Sequence, residues 1–238
     1  MSESSEEGTP CRFCDILAGK VAESPGTPHN ARLAERILWM SDHFVLISCL
    51  FPVTEMELLL IPRTHELSFA NLPVEYSEEI DTALALLRSK LGCQDYLLFE
   101  HGSGHSKGPL TVYGQSILHA HLQIIPLETD VLPQMVEHIQ DEQHFREVFD
   151  IALRKEGDLI ACLKQRSAGR PYLFIHQAGR GKLFLESPTA IPSQFLRRIS
   201  AEAIEGPGSF WDWKKISRDE QEMVTQRRKR LYDRWFPS

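Results

Sequence analysis

No stretch of the 238-residue chain approaches the roughly 20 apolar residues that a membrane-spanning helix needs, so the sequence carries no candidate span. Cationic side chains are also few: 26 Lys and Arg against 33 Asp and Glu leave a formal net charge of −7 at pH 7. That balance argues against general attraction to nucleic-acid backbones or anionic membranes, while a local cluster of donors can still hold a small anionic substrate. The opening residues do not read as a secretory signal. Met1 to Pro10 is acidic and Ser-rich with no apolar core, and it reads as a disordered lead-in. Five cysteines, an odd number, predict reduced thiols in a cytoplasmic protein rather than a disulfide framework. The remainder, 42% hydrophobic and 25% charged, predicts a globular chain with one good core or one core with an appendage.

Ile37 to Met40, Phe44 to Leu50, Met56 to Ile61 and Tyr96 to Glu100 read as strands. Between the last two, Pro73 to Leu91 repeats apolar residues at Ile80, Ala83, Leu84, Leu87 and Leu91, the spacing of an amphipathic helix, with Gly92 as its stop. Further on, Val131 to Lys155 reads as largely helical, and Tyr172 to Ile175 with Leu183 to Glu186 as a hairpin across Gln177-Ala-Gly-Arg-Gly181. Ser193 reads as the N-cap of a helix carrying Gln194, Arg197 and Arg198, and Arg227 to Arg230 as a solvated helix face.

Three features carry chemistry. Gly114 to Pro126 reads Gly-Gln-Ser-Ile-Leu-His-Ala-His-Leu-Gln-Ile-Ile-Pro. As a strand over Ile117 to Ile125, it puts His119, His121 and Gln123 on one face and Ala120, Leu122 and Ile124 on the other. Cys11-Arg-Phe-Cys14 is a C-x₂-C knuckle, open to a redox dithiol, to coincidence or to half of a tetrahedral zinc site. Finally, His101 to Gly108 is a Gly-rich polar loop in which Ser103, Ser106 and Lys107 add donors, suited either to a phosphate or to a solvated hairpin connection.

The Gly114 to Pro126 run resembles the signature of the histidine triad superfamily, whose usual form is His-x-His-x-His. Gln123 in the third place is similar to the galactose-1-phosphate uridylyltransferase branch, which includes nucleotide phosphorylases. The likeness covers about Cys11 to Leu127. It implies an α+β fold: an antiparallel sheet of about five strands packed with helices over residues 11–127, with an α/β extension over 128–238. It also implies that a structural zinc ion is held by Cys11, Cys14, His65 and His119, and that Gly114, Gln115 and Ser116 bind the transferred phosphoryl group. Many relatives place an aspartate on the ribose where this chain has Cys49 or Ser48, so the usual ribose contact is not expected.

The resemblance further implies a nucleotidyltransferase or phosphorylase that forms a nucleotidyl-His121 intermediate. Its partners are a small-molecule nucleotide and a phosphate-bearing acceptor, with no nucleic acid and no membrane, and a homodimer is an open alternative. An amide at Gln123 makes and accepts hydrogen bonds but shuttles no proton, which favours anionic acceptors over water. A hydrolase on the same fold and a noncatalytic zinc-stapled nucleotide-binding module are the alternatives. Gln194 with Arg197 or Arg198 is expected to bind the phosphate of the second substrate, unless these are surface arginines of a packing helix.

Overall fold

Alternating apolar runs bounded by turn residues become strands here, and all of those described join one sheet. In a computed structural model that describes residues 11–18, 36–103, 117–187 and 189–237, the strands are β1 (Ile37–Met40), β2 (Phe44–Ser48), β3 (Leu58–Pro62), β4 (Tyr96–Gly102), β5 (Leu122–Pro126), β6 (Glu147–Ala152), β7 (Tyr172–Gln177) and β8 (Arg180–Leu185). Their order is β1-β2-β3-β5-β4-β7-β8-β6, with every pairing antiparallel. The helices are α1 (Arg12–Leu17), α2 (Ser77–Leu91), α3 (Leu132–Glu142), α4 (Leu159–Ser167), α5 (Phe195–Glu205) and α6 (Arg218–Trp235). Among the described residues, no helix is long and apolar enough to cross a membrane.

The α+β antiparallel expectation holds, but the sheet has eight strands rather than about five. The extra strands come from the chain beyond residue 127. β4 has a second edge to satisfy, and β7 pairs along it from Leu98↔His176 to Gly102↔Tyr172. β8 then returns through a tight turn whose two central residues, Ala178 and Gly179, have φ of 51° and 77°.

The helix expected over Val131 to Lys155 is only half correct. α3 ends at Glu142, Gln143 is extended, and Glu147–Ala152 pairs with β8 as an edge strand, where backbone pairing overrides the polar composition. Ser193 is not a cap. α5 begins one residue later than expected, after Gln194, which has φ 62°. By contrast, α2 ends as read, though it starts at Ser77, after a 3-10 turn over Val74–Tyr76, rather than at Pro73; it buries the five apolar positions singled out and stops at Gly92, φ 68°, whose N–H reaches the Arg88 carbonyl.

Strand alternation sorts the core. Phe44, Leu46, Leu58, Leu60, Leu98, Leu122, Ile124 and Phe174 point to one face and pack with α2, α4 and Trp235. The opposite face carries two separate clusters. Val45, Ile47, Leu59 and Ile61 lie with Phe13 of α1; Leu97, Phe99, Ile125, Leu173 and Ile175 lie with α3 and α5. Between these two clusters runs β5, and its polar side chains belong to that face.

Gly181 sits where β7 and β8 come closest, opposite His176. A Cβ there would lie 2.3 Å from the Ile175 carbonyl oxygen and 2.9 Å from His176 Cα, both backbone atoms with little room to yield. Gly181→Ala is expected to destabilise the chain by about 1–3 kcal/mol, the usual cost of overpacking. Urea unfolding monitored by circular dichroism reads this directly, and an unchanged midpoint would mean the hairpin is looser than described.

Candidate active site and its metal-binding cluster

β5 begins at Leu122, five residues later than the strand expected from Ile117. The backbone before it is used differently: Ala120 N–H donates to the Glu66 carbonyl, and the His119 carbonyl is taken by a side chain. The alternation nevertheless persists. Ala120, Leu122 and Ile124 are buried in the core on one side. On the other side the Phe13 ring meets both His119 and His121 edge-on, at centroid distances of 5.7 and 5.6 Å.

The C-x₂-C spacing places two sulfurs at the start of α1, beside the residues that follow β3 and precede β5. One ligand atom each from Cys11, Cys14, His65 and His119 falls within 4.8 Å of the others. His119 Nδ1 lies 3.3 Å from Cys11 Sγ and 3.5 Å from Cys14 Sγ, and His65 Nδ1 lies 3.2 Å from Cys14 Sγ. Zinc bonds of about 2.0–2.3 Å in a tetrahedron require ligand separations of about 3.3–3.8 Å, which the three nitrogen–sulfur distances approach, and two thiols with two imidazoles are the donor set that suits such an ion.

The protonation states fit as well. His119 Nε2 is 2.8 Å from the Pro62 carbonyl, an arrangement that keeps the proton on Nε2 and turns the lone pair of Nδ1 toward the sulfurs. Burial lowers the His119 pKa to about 4, so its ring stays neutral. Burial and the neighbouring Cys11 push the Cys14 thiol up to about 11, a proton that an incoming cation has to displace.

His121 stands two residues beyond this cluster. Its Nδ1 lies 2.8 Å from the His119 carbonyl, so Nδ1–H donates and Nε2 is left with a lone pair. Burial lowers its pKa, which keeps that lone pair available near neutral pH. Gln123, half-buried, follows on the same face between Leu59 of β3 and Phe99 of β4.

One residue of this face was misplaced by the sequence reading. β4 continues through Gly102, so His101 belongs to the strand rather than to the polar loop. Continued by two residues beyond its last pair, Phe99↔Gln123, the register would bring His101 to His121, and the two rings interact electrostatically. Burial, and then the charge of His121, lower the His101 pKa to about 3. The alternation Leu97, Phe99, His101 was the available signal.

The remaining expected contacts are scattered. Ser103 is buried just past β4, its N–H on the Leu67 carbonyl. Lys107, Gly114, Gln115 and Ser116 lie outside the described residues. Gln194 Nε2 donates to Asp212, 3.3 Å away. Arg197 comes to the side of the sheet that carries His121, where protein groups engage it. It donates to the Phe51 and Trp211 carbonyls and lies 3.2 Å from buried Glu57 and 3.5 Å from Cys49 Sγ. Arg198 is paired with Glu142 and Glu202. Neither set of contacts supports a phosphate-binding role, because the donors are already matched inside the protein.

The His101 and His121 pairing has a measurable consequence. In His121→Gln the repulsive charge is gone, so the His101 imidazole is expected to titrate at a higher pH than in the parent chain. It stays below the ordinary value of about 6.5, because desolvation is the larger cause. Two-dimensional NMR of the imidazole resonances would show the shift; identical titration curves would separate the two rings.

No protein-family model and no curated protein matches the chain. Solved structures do resemble it. A histidine triad protein from Clostridium difficile is 18% identical, with a TM-score of 0.35, over 50% of this chain and 92% of its own. The yeast Ap4A phosphorylase in complex with AMP is 18% identical, with a TM-score of 0.45, over 88% and 77%. A DUF4931 family protein from Bacillus cereus is 13% identical, with a TM-score of 0.43, over 82% and 99%. The His-x-His-x-Gln run that leads into β5 is, as a sequence, similar to the signature of the histidine triad superfamily.

Proposed function

We propose that the chain is a nucleotidyltransferase or phosphorylase. It takes a nucleoside monophosphate from a phosphoanhydride or nucleotide sugar and passes it to a phosphate acceptor. One observation carries the reading: the His121 Nδ1–H is pinned to the His119 carbonyl and burial lowers the ring's pKa, which leaves the Nε2 lone pair for an electrophile.

In the first step the Nε2 lone pair forms a bond to the α-phosphorus, and the bond from phosphorus to the leaving oxygen breaks. The leaving group is already an anion, so it needs no proton. Gln123 contributes hydrogen bonds only, which suits such a leaving group. In the second step an oxygen of the acceptor phosphate attacks the same phosphorus, the phosphorus–nitrogen bond breaks, and the imidazole is regenerated.

The Cys11, Cys14, His65 and His119 set would hold a structural zinc ion, closed by four protein ligands. Its contribution is to tie α1 to the residues before β5 and so fix the carbonyl that orients His121. A hydrolase on the same fold is the alternative, and the fate of the adduct separates the two.

Mixing the protein with a panel of nucleotides should give, by intact mass, an adduct of one nucleoside monophosphate that disappears in His121→Ala. Added inorganic phosphate is expected to discharge it at least tenfold faster than water. Discharge by water alone at the same rate establishes the hydrolase, and a complete lack of adduct with every nucleotide leaves a binding module.

Elemental analysis should find about one zinc ion per chain. Chelation, or Cys14→Ala, is expected to lower the thermal midpoint and to slow adduct formation together. Protein that is metal-free and fully active as purified would remove the staple from the proposal.

A further inference from the structure

Glu100 is a carboxyl group in the wrong surroundings. Strand alternation turns it to the same side of β4 as Leu98, away from His121 and into the core packed with α2 and α4, where it is buried. Its hydrogen-bond partners among the described residues are two donors and no cation: Phe69 N–H at 2.8 Å and the Tyr172 hydroxyl at 2.5 Å. Tyr172, also buried, accepts from Ala70 N–H at 3.3 Å. Its ring lies over Gly102, where a Cβ would fall 2.3 Å from the ring carbon Cζ.

The two side chains grip one short segment, residues 66–70, which follows His65. That segment is bonded at its other end to the histidine run. The Glu66 carbonyl takes the Ala120 N–H at 2.6 Å, and the Leu67 carbonyl takes the Ser103 N–H at 3.2 Å. Ala120 stands between His119 and His121, so a carboxyl on one side of the sheet is joined through five residues to the backbone that carries both imidazoles.

Desolvation raises the Glu100 pKa from 4.5 to about 7, and its two hydrogen bonds offset that only in part. Chargeable groups nearby give it no partner. β7 carries His176, two residues beyond Phe174; α2 carries Asp81, which takes the Gly157 N–H; and α4 carries Cys162, Lys164 on the Leu72 carbonyl, and Arg166 over the Phe149 ring. His101 and His121 project from the opposite side. A carboxyl whose pKa is higher folded than unfolded stabilises the fold when protonated; that contribution is complete below about 4.5 and is lost as pH rises through 7. In the protonated state the carboxyl O–H donates to the Tyr172 oxygen. The Tyr172 hydroxyl is then free to turn to its neighbour Ser68 Oγ, which is buried without a hydrogen bond.

We infer that Glu100 and Tyr172 form a proton-operated latch on residues 66–70 and, through Ala120, act as positioning residues for His121. The latch closes when the carboxyl holds a proton and loosens as it ionises. The latch stands on its own, whereas its consequence for His121 rests on the nucleotidyl-transfer reading.

Amide hydrogen exchange on the full-length chain, read by NMR and corrected for the intrinsic effect of pH, tests the latch without any nucleotide. From pH 6 to pH 8 the protection of Phe69, Ala70 and Ala120 should fall about tenfold, while the amides of β8 change by less than about twofold. Glu100→Gln keeps an acceptor for Phe69 and a donor for Tyr172 without a charge, so its protection should stay flat over that range. Tyr172→Phe keeps the ring over Gly102 and should be loose at both pH values. At pH 8 the adduct on His121 should form at least about threefold faster in Glu100→Gln than in the parent chain. Flat protection in the parent chain, or a fall that β8 shares, overturns the latch; should Glu100→Gln fail to fold, the parent and Tyr172→Phe profiles decide it. Adduct rates that ignore a working latch overturn the positioning of His121. Absence of an adduct in every protein overturns nucleotidyl transfer and the positioning with it, and the exchange data still decide the latch.

Discussion

A single hydrogen bond, from His121 Nδ1–H to the carbonyl of His119, links the cluster of Cys11, Cys14, His65 and His119 to the proposed chemistry. It selects the tautomer, directs Nε2 away from the backbone, and passes any displacement of His119 on to the nucleophile. His119 is itself held from both ring nitrogens, by Pro62 on one side and by two sulfurs on the other. A reactive imidazole gains accuracy from supports of this kind, since small errors in aim cost large factors in rate. Phe13 adds an apolar wall that keeps both rings upright and partly dry.

The other end of the same face is organised by Arg197. It comes from α5, in the chain's second half, and meets Glu57, Cys49 and the Phe51 carbonyl, in the first half. A buried pair like Arg197 and Glu57 adds little net stability, but breaking it by removing one partner costs about 3–5 kcal/mol. Its value here is positional. It holds α5 and the turn after β2 at a fixed separation, so the two apolar clusters on the His121 side of the sheet stay apart with β5 between them.

Much of the site was legible because its chemistry is local. His119, His121 and Gln123 declared themselves by spacing, and the alternation survived even where the strand did not form. His101 was missed through a boundary error of two residues at the end of β4, after which the Gly-rich composition of the following loop took over the reading. The role of Arg197 was missed for another reason. Nothing in a helix sequence says whether a guanidinium faces solvent or a carboxylate 140 residues away.

The sequence by itself determined the pieces whose rules act over a few residues: the C-x₂-C turn, the polar face of His-x-His-x-Gln, the amphipathic α2 with its glycine stop, and the tight hairpin of β7 and β8. Tertiary structure decided the rest. It extended the sheet to eight strands by pairing β7 with the open edge of β4, brought His101 near His121, gathered Cys11, Cys14, His65 and His119 from three separate segments, and buried Arg197 against Glu57 and Cys49. Each of these depends on which distant strand edge or carboxylate satisfies a buried polar group, and that is a property of the packed chain rather than of any window along it.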